Sequence, residues 1–216
     1  MMVKLKGRRC VVVGGGAVAV RKVRGLLEGG ADEVVVIAPI ITEELKVLAN
    51  AECIGLVQRE YKEQDLHGAF LLFAATDSRE VNERIAVFGE REGVLVNVAD
   101  AGETGDFVTP ATVRQGELLL TVTTGGASPA LTARLRRRLA EQYGPAYQEL
   151  VERLRLLRVH VQAHVKDEAR RTILLRQAAE ELVEAQAEAE TAYGLDRNEP
   201  IDEWMNRLQQ AAERRQ

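Results

Sequence analysis

The chain has 216 residues, which is enough for one ordinary domain and a smaller one, and 46% of them are hydrophobic, which is enough to form a core. Its net charge of −4 argues against a general nucleic-acid binder, and it has no apolar run of the roughly 18 residues that a membrane span requires. The first residues, MMVKLKGRR, lack the apolar middle of a signal peptide. Cys10 and Cys53 lie in apolar, strand-like runs and are interpreted as small buried hydrophobes. These features predict a cytoplasmic protein.

The first 98 residues alternate between strand-like and helix-like patterns. Residues 9–13, RCVVV, predict a buried strand, and apolar residues at helical spacing then predict a helix that ends at the EGG of residues 28–30. Thr42 is expected to cap a short helix, and Asp77 with Glu80 forms a capping-box pattern before a longer one. These two helices are predicted at 42–50 and 78–90. Four further strands are predicted at 34–37, 53–57, 70–75 and 94–98. Such alternation is typical of a parallel sheet with helices on both faces.

The pattern changes near residue 99. Strands are predicted at about 107–114 and 117–123 with a hairpin between them, followed by a helix from Pro129 to Tyr143 that Ser128 caps. The rest of the chain is predicted to be helical, and its last amphipathic stretch is anchored by three large apolar residues, Ile201, Trp204 and Leu208. The predicted organisation therefore has three parts, at 1–99, 100–145 and 146–216.

The stretch CVVVGGGAVAV joins the first strand to the first helix and contains a glycine motif. Gly14, Gly16 and Ala19 match the pattern G-x-G-x-x-G/A, in which the first glycine permits a tight turn and the second lets a pyrophosphate approach the backbone. The first helical residues, Ala17 and Val18, would offer free N–H groups to that anion. The fold class predicted is therefore α/β, with an N-terminal Rossmann-type parallel sheet, a small α+β segment and a C-terminal helical region.

The ends of the strands predict the rest of the dinucleotide site. Ala38, Pro39 and Ile40 follow the second strand and are expected beside the adenosine, whereas Thr76 and Asp77 follow the fourth strand and are expected near the nicotinamide. The acidic residue that usually holds the adenosine ribose is missing after the second strand, and no arginine stands beside it for a 2′-phosphate. The residues alone therefore do not choose between NAD and NADP.

A set of motifs between residues 9 and about 139 resembles the precorrin-2 dehydrogenase/sirohydrochlorin ferrochelatase family, the N-terminal part of siroheme synthase. The motifs are VVVGGGAVAVRKV, AATD…VN, NVAD, DFVTPA and TTGGASPALTARLRRRL. The resemblance implies NAD-dependent oxidation of precorrin-2 to sirohydrochlorin, in some members also Fe²⁺ insertion, and a homodimer built largely from the segment after residue 100. No methyltransferase domain follows, so a separate enzyme is expected to supply precorrin-2.

Asp100 is the candidate catalytic residue, since the family's proposed catalytic aspartate maps onto it and proton removal beside the nicotinamide needs a carboxylate. The alternative is that Asp100 only caps the turn DAGETG, and Asp106 is a weaker candidate. Precorrin-2 carries many carboxylates, for which Ser128, at a helix start, Arg114 and Arg134 are candidate ligands. Two further arginines are available in the same segment, Arg137 and Arg138. A solvated helix face is the alternative for each arginine.

His160 and His164 are four residues apart on a predicted helix, a spacing that could hold a metal ion. No carboxylate pattern such as HExxH accompanies them, so a polar helix face is preferred and no metal site is predicted. The other hypothesis for the whole chain is an NAD-sensing regulatory module without catalysis, which would need only the first 98 residues. A short-chain dehydrogenase is disfavoured because no Tyr-x-x-x-Lys pair occurs.

Overall fold

The computed structural model describes residues 2–99, 105–188 and 199–214. The chain divides into two compact units, Met1–Thr109 and Pro110–Gln216. Among the described residues, none of the helices combines the length and apolar character needed to cross a bilayer.

The first unit is built on a five-stranded parallel sheet with the strand order β3-β2-β1-β4-β5. The strands are β1 Arg9–Val13, β2 Glu33–Ile37, β3 Gly55–Val57, β4 Leu71–Ala74 and β5 Leu95–Val98. The helices are α1 Ala17–Glu28, α2 Glu43–Asn50 and α3 Arg79–Glu92, with a short 3₁₀ helix at Glu63–Leu66. Val13 pairs with Ile37 and Ala74, and Ala74 pairs with Val98, so the carboxyl ends of four strands meet at one edge. The predicted Rossmann-type fold is confirmed.

Alternate residues of β1 enter two separate apolar layers, as the two-residue repeat of a strand requires. Cys10 and Val12 pack with α1 and α2, whereas Val11 and Val13 pack with α3. Both faces of the sheet are therefore covered, which explains why its central strands read as continuous apolar runs.

The interpretation of Cys53 as a buried hydrophobe is wrong, and the strand predicted at 53–57 begins only at Gly55. Cys10 is buried in β1, but Cys53 is exposed. Cys53 lies in the turn that ends α2, where Glu52 has a φ of 56° and the Cys53 N–H donates to the Leu48 carbonyl at 3.0 Å. These residues terminate a helix rather than start a strand.

The cap of α3 also differs from the prediction. The N-cap is Ser78, whose Oγ accepts a hydrogen bond from the Val81 N–H at 3.3 Å. Because the first helical residue is Arg79, Asp77 lies one position too early to cap, and the capping box of Asp77 with Glu80 does not form.

The described residues of the second unit form an antiparallel hairpin and four helices. Its elements are β6 Ala111–Gln115, β7 Leu118–Val122, α4 Pro129–Gln142, α5 Ala146–His164, α6 Glu168–Glu188 and α7 Ile201–Arg214. Helices α5, α6 and α7 enclose one apolar core, which contains Leu157, Leu174 and Trp204. Helix α4 packs on the hairpin, yet none of its residues is buried.

The strand predicted from residue 107 starts later, at Ala111. Phe107 instead contributes to the first unit, where its ring lies edge-on to that of Phe73 with the centroids 5.5 Å apart. The Asn97 side-chain amide donates to the Phe107 carbonyl at 2.7 Å. The apolar side chain of Phe107, which suggested a strand, instead packs against the core of the first unit.

Candidate dinucleotide site

Gly14 is required by the fold of the turn that follows β1. Its φ is +128°, a conformation that side chains with a Cβ rarely adopt. A Cβ at this position would lie 2.1 Å from the Ala75 carbonyl oxygen, just beyond β4. The Gly14 N–H also donates to the Ile37 carbonyl at 2.9 Å. The tight turn expected at Gly14 is present, and it is wedged between the ends of β2 and β4.

Gly15 is required for a different reason, which sequence reasoning missed. A Cβ there would lie 2.0 Å from the Ile40 carbonyl oxygen and 2.9 Å from the Ala38 Cβ. The Gly15 carbonyl accepts a hydrogen bond from the Thr42 N–H at 3.0 Å. The loop between β2 and α2 therefore rests directly on the glycine turn. The only signal in the sequence was that three glycines stand together where the motif needs two.

Gly16 is the glycine that the protein fold does not require. Its backbone is extended, with φ −88° and ψ −170°, and a Cβ would meet no heavy atom within 4 Å. Gly16 is the N-cap of α1, whose first turn contains no acidic residue. An exposed, uncovered backbone at a helix N-terminus fits a pyrophosphate group, which Gly16, Ala17 and Val18 would hold through N–H groups. Ala19 is fully buried, as the close packing of α1 demands.

The loop after β2 offers an apolar surface beside this turn. Ala38 is buried, but the side chain of Ile40 is 83% exposed. Pro39 is exposed as well, and its carbonyl is within 3.5 Å of the Gln58 Nε2. An exposed isoleucine and proline suit contact with an adenine ring, the role predicted for this loop.

The loop after β4 is held by Asn82, which is only 7% exposed. The Asn82 Oδ1 accepts hydrogen bonds from the Thr76 N–H at 3.2 Å and the Thr76 hydroxyl at 2.8 Å, and its Nδ2 donates to the Thr76 carbonyl at 3.0 Å. Thr76 is therefore fixed at the carboxyl end of the sheet, and Asp77 beside it is exposed. Sequence reasoning did not assign a role to Asn82, although it lies in the motif AATD…VN.

Asp100, the candidate catalytic residue, lies outside the described residues. The chain on either side of it is anchored to the sheet: the Ala99 N–H donates to the Ala74 carbonyl at 2.8 Å. The Asp106 Oδ2 accepts from the Val96 N–H at 2.8 Å, and the Asp106 N–H donates to the Val96 carbonyl at 2.8 Å. Asp106 is thus committed to the backbone of β5.

In the second unit, Ser128 caps α4 as predicted, because its Oγ accepts from the Leu131 N–H at 3.2 Å. The Thr124 hydroxyl accepts from the Ser128 N–H at 3.0 Å and further fixes the turn before the helix. Arg114 and Arg134 are exposed, and no ion pair joins either of them to another of the described residues. Their guanidinium groups are therefore available to an anionic ligand.

The two histidines of α5 form a stacked pair with the ring centroids 4.1 Å apart. The His164 Nδ1 lies 2.9 Å from the His160 carbonyl, and the His160 Nε2 lies 3.3 Å from an Asp202 carboxylate oxygen. Within the described ranges, no three side chains of metal-binding type are grouped closely enough to hold an ion.

The parallel sheet, the glycine turn and the open N-terminus of α1 define a Rossmann-type dinucleotide-binding protein. A family model described as "Putative NAD(P)-binding" matches residues 1–111, and one described as "Sirohaem biosynthesis protein central" matches residues 115–142. The chain belongs to the putative NAD(P)-binding family, and the resemblance noted in its motifs is confirmed.

Known relatives agree with this assignment. A siroheme synthase from Nitrosococcus oceani is 41% identical over 150 residues, covering 69% of this chain and 32% of the relative. One from Thioalkalivibrio sulfidiphilus is 34% identical over 184 residues, covering 85% of this chain and 37% of the relative. The chain thus spans about a third of the length of these relatives.

One solved structure is similar along nearly the whole chain. It is described as "SirC, precorrin-2 dehydrogenase", and it matches with a TM-score of 0.72 and 28% sequence identity. The match covers 99% of this chain and 98% of that one, so it includes both compact units.

Proposed function

We propose that this chain is an NAD-dependent precorrin-2 dehydrogenase that oxidises precorrin-2 to sirohydrochlorin in siroheme synthesis. The observation that carries the proposal is the similarity to a precorrin-2 dehydrogenase over 98% of that protein's length. A dinucleotide-binding domain alone would not specify a reaction, since the same fold serves many activities. The second unit adds residues 115–142, which match the family model described as "Sirohaem biosynthesis protein central".

The cofactor is proposed to lie across the carboxyl edge of the sheet. Gly16, Ala17 and Val18 would hold the pyrophosphate, and the loop of Pro39 and Ile40 would flank the adenosine. Thr76 and Asp77 are assigned to the nicotinamide side, where the hydrogen bonds of Asn82 keep the loop in place. The bound cofactor supplies the acceptor for a hydride.

Asp100 is proposed as the general base. Oxidation of precorrin-2 removes two electrons and two hydrogens, one leaving as the hydride and one as a proton, so a base must take that proton. Asp100 follows β5, which ends at Val98, and β5 neighbours the strand that leads to Thr76. The ends of adjacent parallel strands face the same crevice, so a carboxylate after β5 is suited to this step.

The segment from β6 to α4 is proposed to bind the substrate's carboxylates. Arg114 and Arg134 supply exposed guanidinium groups, and planar guanidinium groups match carboxylates well. At the start of α4, Pro129 has no N–H and the Leu131 N–H donates to the Ser128 Oγ, which leaves the Ala130 N–H and the positive end of the helix for an anion. A tetrapyrrole with several acidic side chains is the ligand that this set of groups suits.

The partner proposed for α4 is a second copy of the same chain. Leu131 and Leu135 are 47% and 36% exposed, and α4 has no buried residue. An amphipathic helix that buries nothing of its own is expected to be covered by another surface. The family resemblance implies a homodimer through this segment.

The proposed location is the cytoplasm. Both cysteines are free thiols, which suits a reducing compartment.

The proposed activity is tested by anaerobic incubation of the purified chain with precorrin-2 and NAD, with absorbance followed throughout. We expect NADH and sirohydrochlorin to form together in equal amounts. Fe²⁺ or Co²⁺ added afterwards tests metal insertion, the second activity that the resemblance implies for some members. Binding of NAD without turnover of precorrin-2 would contradict the proposed dehydrogenase activity. It would favour the alternative hypothesis of an NAD-sensing regulatory module without catalysis.

A further inference from the structure

The start of α2 is fixed beside the glycine turn. Its N-cap is Thr42, whose N–H donates to the Gly15 carbonyl at 3.0 Å. The Ile40 carbonyl is packed against Gly15 so closely that a Cβ there would lie 2.0 Å from its oxygen. The first two residues of α2, Glu43 and Glu44, are therefore held next to the loop assigned to the adenosine.

The cations near these two carboxylates are already paired with them. The Glu44 Oε1 lies 2.5 Å from the Arg24 Nε of α1, and the Glu43 Oε2 lies 3.1 Å from the Lys46 Nζ. The Thr42 side chain makes no capping hydrogen bond, so the two acidic residues are the groups that offset the positive end of α2. A helix start that would otherwise attract a phosphate is electrostatically neutralised.

NADP differs from NAD by a phosphate on the 2′-oxygen of the adenosine ribose. In open α/β folds this ribose lies after the second strand, where proteins that bind NADP provide an arginine. The loop from Ala38 to Thr42 provides no cationic residue, and two carboxylates follow it. We infer that Glu43 and Glu44 select NAD by pairing with Lys46 and Arg24, so that neither cation is available to the 2′-phosphate of NADP. This inference rests on the proposed function, because it concerns the same cofactor site.

The selection differs physically from the usual one. The usual acidic residue at the end of the second strand rewards NAD through a hydrogen bond to the ribose. Pairing of Arg24 and Lys46 instead denies NADP a cation for its 2′-phosphate, so removal of a carboxylate leaves NAD affinity nearly unchanged. The two mechanisms therefore predict different responses of NAD binding to removal of a carboxylate: a loss of NAD affinity in the usual case and almost no change in NAD affinity here.

The test measures the dissociation constants of NAD and NADP by calorimetric titration of the full chain, without substrate. The variant is Glu44→Gln, which removes one carboxylate and releases Arg24. The matched control is Glu33→Gln, which removes a carboxylate paired with Arg9 at 3.8 Å, at the amino end of β2 on the opposite edge of the sheet.

We expect the unmodified chain to bind NAD more tightly than NADP. The Glu44→Gln variant is expected to bind NADP about tenfold more tightly than the unmodified chain does, because this is the effect of one nearby charge in a partly solvated setting. NAD affinity is expected to change by less than about threefold in Glu44→Gln, and neither affinity to change much in Glu33→Gln.

Equal affinity for the two cofactors in the unmodified chain would overturn the inference. So would a Glu44→Gln variant that keeps its NAD affinity and gains no more NADP affinity than Glu33→Gln. Both of these results leave the proposed function standing, since NAD still binds. Failure of the unmodified chain to bind either dinucleotide overturns the proposed function itself.

Discussion

Replacing Gly16 with valine is expected to separate cofactor binding from folding. A Cβ at Gly16 meets no heavy atom within 4 Å, and the backbone there has φ −88° and ψ −170°. Valine therefore fits the turn without strain. We expect the free energy of unfolding to fall by no more than about 1 kcal/mol, the cost of an unfavourable N-cap residue.

The effect on cofactor binding is expected to be larger. The branched side chain would fill the space through which a pyrophosphate reaches the N–H groups of Ala17 and Val18. A hydrogen bond to a charged group contributes about 1.5–3 kcal/mol, and about 1.4 kcal/mol corresponds to a tenfold change in Kd. Loss of one or two such bonds predicts that Gly16→Val binds NAD about 100-fold more weakly.

The neighbouring glycines provide the controls, because the fold itself needs them. Gly14→Ala places a Cβ 2.1 Å from the Ala75 carbonyl oxygen at a φ of +128°, and Gly15→Ala places one 2.0 Å from the Ile40 carbonyl oxygen. Each is expected to lower the free energy of unfolding by about 2 kcal/mol or more, through backbone strain or overpacking.

Denaturant unfolding measures the stability of all three variants, and calorimetric titration measures their NAD affinity. If Gly16→Val bound NAD as tightly as the unmodified chain, the pyrophosphate site would be assigned to the wrong residues. If Gly16→Val were as unstable as Gly14→Ala, the distinct purposes ascribed to these glycines would be wrong.

Three further predictions concern catalysis, assembly and thiol chemistry. Asp100→Ala is expected to keep NAD binding and to lose about 10²–10⁴-fold in initial rate at saturating NAD, whereas Asp106→Ala should mainly lower stability; near-normal turnover by Asp100→Ala would place the base elsewhere. The chain is expected to sediment as a dimer at micromolar concentration and Leu131→Glu as a monomer, and an unmodified chain that sediments as a monomer would exclude the proposed partner. Burial raises the pKa of the Cys10 thiol to about 11, so a thiol reagent should modify only exposed Cys53 until the chain is denatured; two rapidly modified thiols in the native chain would contradict this burial.

Much of the first unit could be predicted because its signals are local and repeated. Each buried strand is a short apolar run, each helix follows at helical spacing, and Gly14 with Gly16 marks the first turn between them. Cys53 shows where this reasoning fails. An apolar neighbourhood suggested a strand, but the residue is needed to end α2, and the paired strand starts two residues later.

The site was less predictable where a residue acts through distant partners. Gly15 is constrained by the Ile40 carbonyl, and Asn82 acts by binding Thr76, and neither contact is visible as a local pattern. The cap of α3 fell on Ser78 because the exact first helical residue decides which neighbour caps it. Phe107 was assigned to a strand on its local apolar neighbours. Its actual contact is with Phe73, which is too far away in the chain for a local pattern to reveal it.

The buried tryptophan of the second unit gives the molecule a built-in optical reporter. Trp204 is the only tryptophan in the chain and is fully buried, with the Arg153 guanidinium 5.1 Å from the centroid of its ring. The first unit contains none, so indole fluorescence follows the unfolding of the second unit, whereas circular dichroism sees the helices of both. Stabilisation of the first unit by a bound dinucleotide would then be recognised as a circular dichroism transition that moves away from the fluorescence transition.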